Sequence, residues 1–466
     1  MARRKGESGI RAEFGFATLG DARRVARLKM LASALEEDPS ASFPEAVEDE
    51  AALEGTYRLL SNEAVNAEDI LAGHYRQTVE RAEQEDLVLA VHDTTFFDFS
   101  ASAPREGLGY LRGKGQGFLG HFTLLVAPGE IRRPLGVLAM QTLVRDKPPG
   151  RRKTMLELRE AAEPRRWRQG VELAAQRLDG RCPVIHVMDR EGDSYTLFSA
   201  LVEGGHRFVI RNRHDRYLAE EGLRISDAVA TASTIVERMV MLSARPEKSF
   251  HVRRLYPARA GRLARLAISA TAVEIRRAST ARPGTPETLK LNVVDVQEVE
   301  THGRNEPVHW SLVTTEPIAT AADVERIVDV YRARWVIEEY FKAIKTGCAY
   351  ERRQLESFHS LTNALAVFVP IAWRLLLLRT LARDAGDEPA TNALTDTQVD
   401  VLKATSKKPL PKNLTVRGAM LAVARLGGHI KNNGEPGWLV LGRGYEKLLA
   451  LEQGWIAALK LRSDQS

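Results

Sequence analysis

The feature that most constrains the fold is a succession of short apolar runs broken by one long helical stretch. The runs are Leu87 to Val91, Leu119 to Val126 and Leu135 to Leu143, then a helical pattern from about Thr154 to Leu178, then Pro183 to Met188. A helix near Tyr195 to Leu201 leads to a last run, Arg207 to Ile210. Apolar runs of four to eight residues between turn signals read as buried strands, and longer 3.6-residue periodicity reads as helix. The order β-β-β-α-β-α-β predicts an α/β domain built on a mixed sheet with helices on its faces.

Helices precede this core. Residues 20–35 predict a helix capped by Asp21, with Val25, Leu28, Ala32 and Leu35 on one face and Arg23, Arg24 and Arg27 on the other. A second helix is expected over about Ala51 to Leu60 and a third from an Asn66 cap. Met1 to Lys29 holds eight basic and three acidic residues, so a formal net charge of only +6 hides strong polarity. After the core, Ile235 to Val313 alternates again and predicts a β-rich insertion; Arg245 to Arg282 within it carries ten basic residues against two acids. A long helix is expected from a Thr320 cap to a Gly347 terminator. Beyond Leu378 a polar linker precedes a final helical segment from Val416 to Leu461.

At 466 residues, with 44% hydrophobic and 27% charged residues, the chain supports several cored domains and is neither disordered nor a membrane bundle. The most apolar stretch, Leu361 to Leu378, contains Asn363, Pro370 and Arg374 and is expected as a buried helix. The opening Met1 to Gly6 lacks a following apolar segment, and Cys182 and Cys348 have no paired spacing, so a cytoplasmic setting is expected. The six glycines between Gly107 and Gly120 lack a Gly-Lys-Ser/Thr ending and are read as a loop between strands, with no nucleotide site. His92 and His186 lie in β-like runs without zinc spacing and are read as sheet histidines.

Three acids stand out. Asp93 follows the first apolar run and Asp189 the fourth, each read as lying at a strand end, where an acid taken singly is more often a cap or turn residue than a catalyst. Glu338 lies in the helix after Thr320 with Tyr331, Arg334 and Lys345. At about 100° per residue these four fall within roughly 60° of one another. Val330, Ile337, Phe341 and Ile344 form the adjacent apolar stripe. A surface helix with ion pairs such as Arg334 with Glu338 has the same pattern. If the three acids meet, their repulsion calls for divalent cations, and two hard cations about 3.5–4 Å apart suit phosphoryl displacement.

The spacing Tyr331, Arg334, Glu338, Lys345 within YRARWVIEEYFKAIKTG, with Asp93-Thr94-Thr95 and Asp189-Arg190-Glu191, resembles the DDE transposases of the insertion-sequence family four type. The stretches ATLGDARRVARL, GTYRLLSNEAVNAEDI and ARLGGHI extend the resemblance over nearly the whole chain. It implies a ribonuclease-H-like catalytic core (71–378, with the β-rich insertion at about 235–313), a helical DNA-end-binding domain (1–70), and a linker with a helical dimerisation domain (379–466). It further implies that Asp93, Asp189 and Glu338 hold two Mg2+ ions, with Mn2+ as a substitute, and that Tyr331, Arg334 and Lys345 contact phosphates of the transposon end. Trp310 takes the place of a tryptophan that helps extrude a base, and Trp335 is expected near the same base; core packing would explain both residues as well. On the same resemblance Arg211 is expected as a weaker phosphate contact, and Arg23, Arg24 and Arg27 are expected to read the terminal inverted repeats, a role that competes evenly with a solvated helix face. The implied activity is nicking, hairpin formation, hairpin resolution and strand transfer by a homodimer on double-stranded DNA. A catalytically silent DNA-binding regulator is the alternative. A glycosidase with paired carboxylates fits less well, since 6% aromatic content and a basic insertion favour a polyanion over a sugar.

Overall fold

The computed structural model describes residues 10–37, 39–47, 49–101, 103–111, 115–146, 162–242, 261–299, 307–406, 408–429 and 435–463. Part of the arginine-rich stretch (243–260), Gly113, Lys407 and the expected start of the long helix at Thr154 lie outside them. The chain forms two compact units: Met1–Arg152 with Gln169–Pro183 and Trp335–Ser466, and Lys153–Arg168 with Val184–Arg334.

The first unit opens with α1 (Ile10–Glu13), α2 (Ala22–Glu37), α3 (Phe43–Ala46), α4 (Glu50–Ser61) and α5 (Ala67–Ala82). Their starts are written in the sequence. Asp21 accepts from Arg23 N at 2.8 Å, Asp49 from Ala52 N at 2.7 Å, and Asn66 from Asp69 N at 2.9 Å. Each satisfies a donor that the first helical turn leaves open. Leu28, Ala32 and Leu35 are fully buried, as the periodicity of α2 requires.

The strands of this unit are β1 (Val88–Asp98), β2 (Gly109–Tyr110), β3 (Gln116–Val126) and β4 (Pro134–Leu143). β1 lies antiparallel on one edge of β3, while β2 and β4 share the other edge. Nearly all of β3 is buried, as expected of a strand covered on both faces. β1 runs five residues past Asp93, so this acid sits mid-strand opposite Phe122 rather than at a strand end. The reason is that Thr94, Thr95, Phe96 and Phe97 are β-branched or aromatic and continue the ladder. The glycine-rich loop is also shorter than expected. Gly109 lies in β2, and Gly117 and Gly120 lie in β3, where a Cβ on Gly117 would collide with the Phe97 carbonyl.

The C-terminal part of this unit contains α11 (Phe358–Asp384), α12 (Asp396–Thr405), α13 (Val416–Leu426) and α14 (Trp438–Ser463). The 27-residue α11 is long and apolar enough to cross a membrane, yet it is the core helix expected of Leu361 to Leu378. It packs on α2, α4, α5, β4, α13 and α14, and 89% of its most apolar window is buried. The linker expected after Leu378 contains a helix, α12, begun by a capping box of Thr395 and Gln398.

In the second unit, β5 (Val184–Met188), α7 (Tyr195–Glu203) and β6 (Arg207–Arg211) form a parallel βαβ unit. After α8 (Ile225–Thr231) come β7 (Thr234–Leu242), β8 (Arg262–Arg276), β9 (Thr288–Glu298) and β10 (His309–Thr314). β10 pairs with β9 on one side and β6 on the other, giving the order β5-β6-β10-β9-β8-β7. The stretch expected as a β-rich insertion is strand-rich, and its strands extend the sheet begun by β5 and β6. The helix α6 (Ala162–Leu178) divides between the two units at Gln169.

The helix expected to run unbroken from Thr320 to Gly347 is in three parts. α9 (Ala321–Ala333) starts at a Thr320–Asp323 capping box; α10 (Trp335–Lys342) follows; a π segment (Ala343–Gly347) ends it. At the break Arg334 N donates to Tyr331 O at 3.1 Å, an i to i+3 bond, though Arg334 keeps helical dihedrals (φ −51°, ψ −32°). At the end Cys348 N reaches Ala343 O at 2.8 Å. The next residue, Ala349, is left-handed at φ 46°.

Candidate active-site residues

Asp93 and Glu338 belong to the first unit. Asp93 is buried on β1, with Oδ1 accepting Thr94 N–H at 2.7 Å. Glu338 is half-buried on α10, which packs against β1. The apolar stripe of that segment is covered: Ile337 and Ile344 are fully buried and Phe341 nearly so. Trp335 is 58% exposed, so core packing does not account for it. Lys345 lies in the π segment rather than on the same helix as Tyr331. Its ammonium donates to the Phe96 carbonyl, lies 3.4 Å from Glu351 and 5.5 Å from the Phe97 ring centre. Glu351 also accepts Asp98 N–H at 3.0 Å and so fixes the end of β1 against the lysine.

On the opposite face of β1 from Asp93, His92 is buried beside Thr123 Oγ1 (3.0 Å), and His121 beside Thr94 Oγ1 (2.9 Å). Burial, with His121 adding to it, holds the His92 imidazole well below its ordinary pKa. His186 is likewise buried in β5.

Asp189 belongs to the second unit. It follows β5 as the strand-end acid that the sequence predicts and caps a short 3₁₀ turn, Arg190–Gly192, with Oδ1 accepting Glu191 N–H at 2.8 Å. The structure gathers Arg211, Tyr331 and Trp310 in this unit. Trp310 stands edge-on to Tyr331 with ring centres 5.6 Å apart. Arg211, the last residue of β6, donates to the His309 carbonyl at 3.0 Å. Partial burial pushes the Arg211 guanidinium below its ordinary pKa; Tyr331 opposes that shift, while Arg190 and Arg334 add to it. Arg211 thus feels the charge of two further guanidinium groups, Arg190 and Arg334, and the influence of Tyr331. Arg190 escaped the sequence reading although it directly follows Asp189.

On α2, Arg23 is 92% exposed and paired with Asp21 at 3.0 Å, Arg24 donates to the Leu19 carbonyl, and the Arg27 guanidinium lies over Gly55 of α4. Arg23 and Arg27 present charge to solvent, as either reading of this helix requires.

Three carboxylates are hard oxygen donors of the kind Mg2+ prefers, and Asp93 and Asp189 each have one oxygen fixed by a main-chain N–H. Their donor chemistry fits a divalent ion. Among the described residues no three His, Cys, Asp or Glu are grouped as a metal site.

Two family models match. The model described as Transposase DNA-binding covers residues 7–65, and the one described as Transposase DDE domain covers residues 152–368. The first includes Arg23, Arg24 and Arg27. The second includes Asp189, Arg211, Trp310, Tyr331, Arg334, Trp335, Glu338 and Lys345, while Asp93 lies outside both. A stretch matching a transposase DNA-binding domain followed by one matching a transposase DDE domain supports a DDE transposase.

Proposed function

We propose that this transposase cuts and joins DNA at a centre formed by Asp93, Asp189 and Glu338 on a ribonuclease-H-like core, in the manner of the insertion-sequence family four type. The observation that carries this reading is that Trp310 packs edge-on to Tyr331 while Arg211 bonds to the carbonyl of His309, the residue before Trp310, all in the unit that holds Asp189, with Arg190 and Arg334 acting on the charge of Arg211. It is what a phosphodiester next to an unstacked base calls for. The guanidinium groups offset phosphate charge, the tyrosine hydroxyl donates to a phosphate oxygen, and the indole face replaces lost base stacking.

The three carboxylates would hold divalent cations, Mg2+ or Mn2+, which activate the attacking hydroxyl and stabilise the leaving oxygen. Lys345 would exchange the Phe96 carbonyl and Glu351 for a phosphate. Arg23 and Arg27 would meet the terminal repeats, with Arg24 steadying the helix start. Nicking, hairpin formation, hairpin resolution and strand transfer would follow in a homodimer joined through the C-terminal helices, in the cytoplasm.

The test uses the full chain, DNA carrying its own ends, and Mg2+. Asp93→Ala, Asp189→Ala and Glu338→Ala are each expected to slow nicking by about three orders of magnitude or more while leaving DNA binding intact. Nicking at the unaltered rate by any of the three would end the proposal.

A further inference from the structure

Four residues beyond Asp189, a second aspartate is committed entirely to the protein. The Asp193 side chain is fully covered. Its Oδ2 accepts the N–H groups of Arg213 (2.6 Å) and His214 (2.8 Å), and its Oδ1 meets Arg216 Nη1 at 2.6 Å. Its own N–H closes the Asp189 turn onto the Arg190 carbonyl at 3.4 Å. Arg216, also buried, returns a bond to the Asp193 carbonyl, reaches Asn212 Oδ1 at 3.1 Å, and lies over the Phe198 ring of α7.

These bonds tie three pieces together: the turn that carries Asp189, the segment leaving β6 just after Arg211, and α7. The turn itself has no slack, since a Cβ on Gly192 would stand 2.9 Å from Met188. A buried ion pair is an expensive way to fill space, because both charges lose their hydration. Apolar residues of similar size would cover the same ground at less cost. What the pair supplies is direction: one ion pair and four hydrogen bonds where apolar packing would leave the turn free to tilt.

We infer that Asp193 and Arg216 are a positioning pair for Asp189. They fix the turn whose Glu191 N–H holds Asp189 Oδ1, and so set where Oδ2 points. This rests on the reading of Asp189 as a cation ligand. Groups that orient ligands typically alter metal affinity or activity 10- to 100-fold when removed.

Asp193→Asn isolates the effect. The amide oxygen can still accept the Arg213 and His214 N–H groups, but its NH2 then faces a guanidinium that also only donates. The Mn2+ concentration giving half-maximal nicking is expected to rise about 10- to 100-fold. DNA affinity measured without metal ion should stay within about twofold. In the metal-free full chain, deuterium exchange of the peptide spanning 189–194 is expected to quicken about tenfold or more. Adding Arg216→Met removes the stranded cation and should recover thermal stability without restoring the Mn2+ requirement. Arg216→Lys keeps the charge, loses the planar fork, and should give an intermediate shift even if Asp193→Asn fails to fold.

The inference is overturned if Asp193→Asn leaves the Mn2+ requirement and the exchange unchanged. It is equally overturned if the variant merely lowers stability and DNA affinity together, or if the double variant cuts normally. Asp189→Ala is run beside these variants. Should it cut normally, the reading of Asp189 falls, whereas the exchange result still reports whether Asp193 holds the turn.

Discussion

Two covered glutamates of the helical unit titrate in opposite directions. Glu13 meets His74 Nδ1 at 2.6 Å and Arg81 Nη1 at 2.9 Å. Val137 N–H donates to His74 Nε2 at 3.0 Å, so the ring proton lies on Nδ1 and donates to Glu13. Burial opposes the Glu13 charge, but Arg81 and then His74 outweigh it and hold the carboxyl at about 2. Glu13 thus stabilises the fold above its ordinary value of 4.5 and ceases to do so as pH falls towards 2. Glu36 lies 3.8 Å from Arg374, and burial pushes it up to about 8, with Arg374 pulling down, Glu452 pushing up and the Ile10 N–H pulling down. Between 4.5 and 8 the folded chain keeps this proton and the unfolded chain releases it, so stability from Glu36 falls as pH rises, by at most about 1.4 kcal/mol per unit. Urea unfolding at pH 6.5 and 7.5 should show Glu36→Gln losing less stability across that interval than the unaltered chain. Equal losses would mean that Glu36 is charged in the fold.

At the scale of elements, what local chemistry controls was legible. Asp21, Asn66 and Thr320 each start a helix, while Asp49 and the Thr395-to-Gln398 box of α12 were open to the same rule but went unread. Elements decided by distant partners were not legible. β1 continues past Asp93 because β3 is there to pair with it, and the break at Arg334 falls among good helix formers. The candidate site divides in the same way. The motif residues were readable one by one, but the joining of Arg211 to Tyr331 and Trp310 depends on β10 lying beside β6, and Asp193 and Arg216 meet across 23 residues. Close helix crossings are set by absent side chains. A Cβ on Gly444 of α14 would strike the Val423 carbonyl of α13 and lie 3.0 Å from Gly427 N. Gly444→Ala is expected to destabilise the unit by about 1–3 kcal/mol, read as a lowered thermal midpoint; an unchanged midpoint would show that the crossing can spread at no cost.

At the scale of the molecule, the stretch matched as DNA-binding is not a detachable module. Within the first unit α1 packs on α5, and α2 on α4, α11 and α14, with Leu31 and Leu35 fully buried. Removing residues 1–65 should therefore leave a chain that binds a hydrophobic dye and unfolds without a sharp transition. A cooperative transition matching that of the full chain would refute this. The same packing bears on α11. Its companions α13 and α14 follow it in the chain. During synthesis, a segment resembling a bilayer span leaves the ribosome before all of its cover exists. For that interval the part of α11 that α13 and α14 will cover is open to competing binders such as chaperones, so the closing helices guard against misdelivery as well as completing the core.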